Sequence, residues 1–192
     1  MSIIERNLTV NMIRDDLENI PLDDLSAGVS LRWYRPGDEQ HWVDIHVEAD
    51  PYNEITREVY VQEFGADASN SQVLGRRQAY LVDDGTGKVF GTATAWWDDN
   101  YHGLPYGRIH WVAIVPSMQG KGLARPLLSI VCRRMKELGD VRAYLVTSTG
   151  RIPAINLYAR FGFRPDIRSE DDLIVWRDVQ EHVKVPLVLQ VR

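Results

Sequence analysis

The sequence predicts an α/β (α+β) fold: one domain with a mixed β-sheet and helices on both of its faces. Two observations carry this prediction. Between residues 108 and 149 the apolar period runs from strand-like to helical and back to strand-like, a strand-helix-strand unit whose strands pair in parallel. Upstream, Gln78 to Asp99 reads as two alternating strands around Asp84-Gly85-Thr86-Gly87, a hairpin whose strands pair antiparallel. At 192 residues and 44% hydrophobic content, the chain is long enough to bury one core without staples.

Taken in order, residues 1–28 are of mixed character and form a loop-rich lead-in with room for one short helix, and residues 29–192 form the domain. Val29 to Arg35 alternates as a strand. Turn residues and acids then open a helix carrying Trp42, Ile45 and Val47 or Ala49, the acids suiting the positive end of its dipole. A second helix covers Glu54 to Gly65. After the hairpin, a loop from Asn100 to Gly107 leads into a buried strand, "RIHWVAIVP". Leu123, Leu127, Val131, Met135 and Leu138 step along one helical face until Gly139 ends it. "VRAYLVTST" is a strand, and "PAINLYARFG" a helix with Pro153 at its start and Gly162 at its end. A Ser-x-x-Asp opening starts a last helix at Ser169. The final "VKVPLVLQVR" alternates as an edge strand, which either closes the sheet or pairs across a homodimer.

Composition narrows the function. A formal net charge of -5 with no dense Lys/Arg block argues against a nucleic-acid partner. One cysteine, Cys132, excludes an intrachain disulfide framework and fits a reducing compartment. No apolar stretch approaches the ~20 residues of a membrane helix. Charges interrupt the N-terminal region where a signal peptide needs an apolar core. The expectation is a cytoplasmic protein with no membrane partner. The histidines show no ligand spacing, so no metal is expected.

The informative stretch is Gln119-Gly120-Lys121-Gly122-Leu123-Ala124, set where a strand stops and a helix begins. Glycines there leave backbone N–H groups bare at the positive end of a helix, an arrangement suited to phosphate. A Walker A loop fails, because Lys121 precedes Gly122 instead of a hydroxyl residue. A dinucleotide fingerprint fails too, with Arg125 where its third glycine belongs.

Gln119-x-x-Gly122-x-Ala124 resembles the Gln/Arg-x-x-Gly-x-Gly/Ala signature of the GNAT N-acetyltransferase superfamily. "AINLYARFGF", Ala154 to Phe163, is similar to a second segment of that family, and the order and spacing agree over about residues 78–165. The resemblance implies a partly splayed sheet of the acyl-CoA N-acyltransferase fold, with acetyl-CoA as cosubstrate and an amine as acceptor. It places the pyrophosphate on the amides of Gln119, Gly120, Lys121, Gly122, Leu123 and Ala124. It also places the pantetheine arm along the backbone of Val112, Ala113 and Ile114, with the Val112 amide facing the thioester carbonyl.

Tyr158 matches the family tyrosine that donates a proton to the departing sulfur, and a phenol with pKa ~10 keeps that proton at neutral pH. Ile155 and Tyr158 share a helical face, so a core aromatic is the other reading. His110 lies two residues before Val112, on the same face by alternation. It matches a histidine that handles the amine proton in some members; a structural histidine is the alternative. Many members use a glutamate on this strand, and none occurs between Gly107 and Pro116. Arg151 stands where the family has asparagine and reads either as a CoA contact or as a surface residue. Trp96 or Trp97 suits an apolar wall for the acceptor, with Asp98 or Asp99 attracting a cation. The expected activity is direct acetyl transfer to a primary amine of a small molecule or protein. A non-catalytic acyl-CoA-binding module and a transferase of another acyl group stay open as alternatives.

Overall fold

The computed structural model describes residues 1–65 and 68–192. Its elements are α1 (Ile3–Arg6), β1 (Thr9–Arg14), β2 (Val29–Trp33), α2 (Glu39–Ala49), α3 (Arg57–Phe64), α4 (Ala68–Arg77), β3 (Gln78–Asp83), β4 (Val89–Tyr101), β5 (Leu104–Ile114), α5 (Ala124–Glu137), β6 (Ala143–Ser148), α6 (Ile152–Arg160), β7 (Arg164–Pro165) and α7 (Glu170–Gln180). The seven strands follow the order β2-β3-β4-β5-β6-β1-β7. The sheet is mixed and the class α/β, as the period changes predict. The chain divides into two compact units, and β4 and β5 each contribute residues to both.

One unit comprises residues 22–96 and 109–138. Its strands β2, β3 and β4 pair antiparallel, Val29 to Trp33 opposite Asp83 to Ala79, and Gln78 opposite Thr94. Thr56 caps α3 by accepting from the Val59 amide, one of the N–H groups that a helix start leaves unpaired. α5 has an apolar side as the sequence predicts: Leu127, Leu128, Val131, Cys132 and Met135 are fully buried. Burial at that level contributes roughly 1.5–3 kcal/mol for each large side chain. Cys132 is therefore a core residue.

A buried polar network lies beside this core. Gln78 accepts from the Tyr80 hydroxyl at 2.8 Å and from the Tyr60 hydroxyl at 3.2 Å. Burial raises both phenols well above the usual tyrosine range, so they stay protonated and serve as donors. Arg32 grips Asp38 with both arms of its guanidinium. Burial favours the neutral Asp38 carboxyl, but the Arg32 fork and the Arg35 amide outweigh it and hold the group below the ordinary range.

The second unit comprises residues 1–21, 97–108 and 139–192. β1 pairs antiparallel with β6, Thr9 opposite Ser148 through Arg14 opposite Ala143, and on its other side with β7. The lead-in therefore supplies a strand that the sequence does not announce. Val10, Met12 and Ile13 are all buried, so a strand covered on both faces loses the two-residue alternation that would reveal it. Arg14 donates to the carbonyls of Phe161 and Glu18, tying the end of α6 to this strand. The expected loop at 100–107 is instead a tight hairpin. His102 and Gly103 both have positive φ, 51° and 84°, the conformation of a two-residue turn matching strand twist. α7 has its capping box, Ser169 and Asp172 bonding each other's backbone. Residues 183–192 form no closing strand beyond a parallel bridge between Ile167 and Val191. Among the described residues, no helix is long and apolar enough to cross a membrane.

His46 gives the fold a defined acid sensitivity. It is 1% exposed, its Nδ1 lies 2.9 Å from the Trp42 carbonyl, and burial lowers its pKa to about 4. The unfolded chain takes up this proton near pH 6.5, whereas the folded chain does not until about pH 4. The titration of His46 thus leaves stability constant above pH 7 and lowers it as pH falls from about 6.5 toward 4. Urea unfolding at pH 7 and pH 5 should show a drop in midpoint, and His46→Gln should flatten that drop while lowering stability at pH 7.

Candidate functional site

The chemistry-bearing residues of the first unit gather around β5 and the turn that follows it. The strand carries one backbone anomaly. Trp111 has φ 50°, a left-handed conformation that costs a non-glycine residue about 1–2 kcal/mol. Its consequence is visible in the packing. The His110 ring meets Phe64 at 5.5 Å between centroids, and the next side chain, Trp111, meets Trp42 at 5.0 Å and His46 at 5.2 Å. Trp42 and Phe64 themselves stand edge to face at 5.9 Å. Two successive residues of β5 therefore contact one aromatic layer supplied by α2 and α3. The strict alternation that sets His110 and Val112 on a common face does not hold across this point.

His110 is 5% exposed, and its Nε2 lies 2.8 Å from the Glu63 carboxylate at the end of α3. The sequence reading misses Glu63 altogether. Trp96, one of the two expected acceptor-wall residues, packs edge to face on Phe64 at 5.5 Å, so both it and His110 touch the same ring. Val112 and Ala113 are half-buried and Ile114 is buried.

The turn after β5 is held open from beneath. A short 3-10 turn, Pro116–Met118, leads to Gln119, whose side-chain amide donates to the Ile114 carbonyl at 2.7 Å. Gly120 and Gly122 have φ 72° and 79°, and a Cβ at either would meet nothing within 4 Å. Lys121 is exposed, with Nζ 3.2 Å from the Met118 sulfur. Leu123 is buried and forms the cap position of α5 without any side-chain cap bond. Pro126 falls at the third helical position, where an N–H would have no carbonyl within the helix to bond. Arg125 turns to Asp23, with bonds of 3.1 and 3.3 Å. The turn is thus open at its two glycines, at the positive end of a helix, while the Gln119 N–H donates to the Pro116 carbonyl at 3.2 Å.

In the second unit, α6 carries Tyr158, and Arg151 precedes its first residue. Tyr158 is 8% exposed, and its ring meets Phe163 at 6.3 Å. Arg151 occupies the cap position of α6, half-buried, its backbone N–H bonded to Ser148 at 3.0 Å. Asn156 accepts from the Lys184 amide at 2.7 Å and donates to Ile152; it anchors the chain end. Asp98 accepts from the Tyr144 hydroxyl at 2.9 Å, an engagement its sequence position does not reveal. Among the described residues, no group of three or more His, Cys, Asp or Glu side chains is arranged to hold a metal ion.

The profile of the acetyltransferase (GNAT) family matches residues 37–163. The chain belongs to the GNAT acetyltransferase family. A mycothiol acetyltransferase of Pseudarthrobacter chlorophenolicus is 27% identical over 147 residues, 76% of this chain and 45% of that protein. One from Acidothermus cellulolyticus is 25% identical over 177 residues, 85% of this chain and 53% of that protein. The chain therefore spans about half the length of these relatives. A GCN5-related N-acetyltransferase from Sphaerobacter thermophilus has a similar fold, with TM-score 0.67, 21% identity, and coverage of 82% of this chain and 48% of that one. The ribosomal-protein-S18-alanine N-acetyltransferase from Escherichia coli aligns at TM-score 0.55 and 17% identity, covering 74% of this chain and 86% of that one.

The geometry of the turn predicts how it responds to substitution. Gly122→Ala introduces no clash, so its cost is backbone strain alone, about 1 kcal/mol. Gly122→Asn should cost less, because asparagine tolerates left-handed backbone. Paired thermal or urea unfolding curves measure the difference; equal losses would mean that conformation is not what the glycine supplies.

Proposed function

We propose that this protein is an N-acetyltransferase, moving an acetyl group from acetyl-CoA directly to a primary amine. The single observation that carries the reading is the open Gln119–Ala124 turn in a chain of the GNAT family. Its glycines admit a diphosphate to the main chain, and the uncapped start of α5 supplies N–H donors and a positive dipole. In this reading residues 29–192 act as one transferase domain, and the backbone of Val112, Ala113 and Ile114 aligns the pantetheine arm.

The chemistry moves two protons. An amine at neutral pH is mostly protonated and must lose a proton before its nitrogen can attack; His110 takes that proton. The nitrogen bonds to the thioester carbonyl carbon while the oxygen becomes negative, and the Val112 amide holds that charge. The carbon–sulfur bond then breaks, and the sulfur takes its proton from Tyr158. Arg151, at the head of α6, serves the phosphates of CoA or the acceptor. Trp96, packed on the ring that also touches His110, walls the acceptor side. The absence of a carboxylate from β5 favours a second reading, an acyl-CoA-binding module without transfer.

Calorimetric titration with acetyl-CoA tests the first step, with saturation expected at micromolar ligand; no heat at high micromolar concentration overturns the reading. Thiol release should then be measured across a panel of amines, beginning with the acceptors of mycothiol acetyltransferases. Binding without release from any of them supports the second reading. Tyr158→Phe should lower kcat roughly a hundredfold and leave the affinity for acetyl-CoA within about twofold. An unchanged kcat removes Tyr158 from the mechanism.

A further inference from the structure

β5 has no carboxylate, yet one reaches His110 from elsewhere in the fold. We infer that Glu63, from the last turn of α3, is the positioning residue of a Glu63–His110 pair that accepts the proton from the amine. The inference rests on the acetyltransferase reading and adds to it a residue that neither the family signature nor the sequence pattern indicates.

Three observations support it. The carboxylate lies 2.8 Å from Nε2 of a histidine that is 5% exposed, while its own side chain is 33% exposed. One member of the pair is sheltered, and the other is open to solvent. Next, α3 does not need an acid at that place. Its last turn contains no basic residue, and a carboxylate there faces the negative end of the helix dipole, which disfavours it. Finally, the neighbouring Phe64 holds the same imidazole by its ring at 5.5 Å. Successive residues at the end of one helix thus fix the histidine, one by charge and one by shape.

The pairing has a definite chemical effect. A carboxylate that accepts from Nε2–H selects the tautomer whose basic nitrogen is Nδ1. It also stabilises the imidazolium that forms when the amine proton arrives, and the end of α3 adds to that negative field. The proton moves from the ammonium to the imidazole, and no other bond changes in this step. Among the described residues, the charged and titratable groups near His110 include Glu63, His46 and Arg108. Glu63 comes from α3, and from α2 comes His46, which touches Trp111 and is held neutral, its pKa lowered to about 4 by burial. Arg108, two residues earlier on β5, lies over the Tyr144 ring at 5.7 Å.

Glu63→Gln tests the inference, because it keeps the size of the side chain and an acceptor oxygen and removes the charge. Losing the carboxylate destabilises the imidazolium, so the histidine titrates at lower pH. In an imidazole NMR titration, His110 should titrate about one pH unit lower in the variant than in the wild type. The acidic limb of kcat against pH should move down by a similar amount, and the plateau should fall about tenfold. The KM for acetyl-CoA and the urea midpoint should stay close to wild type. Glu63→Ala should give a larger fall in kcat, and His110→Gln one at least as large. An unchanged pH profile and NMR titration in Glu63→Gln, with acetyl-CoA still bound, overturns the role of Glu63 and leaves the acetyltransferase reading standing. Failure of the wild-type protein to bind acetyl-CoA overturns that reading instead, together with the catalytic role of the pair.

Discussion

The left-handed backbone at Trp111 is the constraint around which the first unit is arranged. An extended strand sends neighbouring side chains to opposite faces, but His110 and Trp111 both contact the aromatic layer of α2 and α3. The strain of about 1–2 kcal/mol is offset by that packing, since edge-to-face aromatic pairs contribute roughly 0.5–1.5 kcal/mol each beyond their buried area. Trp111 makes such contacts with Trp42, His46 and His110. Shifting the phase of the strand has a chemical effect too: it leaves His110 beside the end of α3, where Glu63 and Phe64 hold it.

The turn after β5 follows the opposite principle. Where the aromatic layer is filled by side chains, the turn is kept clear of them, and the residues around it bear on its backbone or its flanks. Gln119 bonds the last strand carbonyl, Arg125 is drawn off to Asp23, and Leu123 is buried beneath the helix start. A helix start that binds an anion needs bare donors, because a side chain over the amides would occupy the place of a phosphate.

The elements most legible in the sequence are those with a single buried face or a marked turn. α5 follows its apolar period closely, the β3–β4 hairpin is given away by its Asp84–Gly87 turn although its strands are buried on both faces, and the glycine pair marks its own junction. β1 escaped notice because it is buried on both faces, and the hairpin turn at His102-Gly103 because histidine gives little warning of positive φ. Among the candidate site residues, the glycine turn could be located by its resemblance to the family signature together with the second segment at Ala154 to Phe163. Glu63 could not. Its contact with His110 joins residues 47 positions apart, and its only local trace is an acid at a helix end that prefers a base. Asp98 and Asn156 carry the converse lesson: polar residues near a motif are here committed to Tyr144 and to the chain end.

By itself the sequence determined the α/β class, the order of strands and helices from residue 29 to residue 180 apart from α4, β7 and the turn at 102–103, and the place of the glycine turn at 119–124. These follow from local rules: the period of apolar residues, the conformational range of glycine, and the capping preferences of short polar side chains. Only the tertiary structure decided that residues 9–14 form a paired strand, that β5 shifts its phase at Trp111, and that a carboxylate from α3 meets His110. Each of these depends on which segments distant in the chain come to pack together, and such packing outweighs the local preferences that a sequence displays.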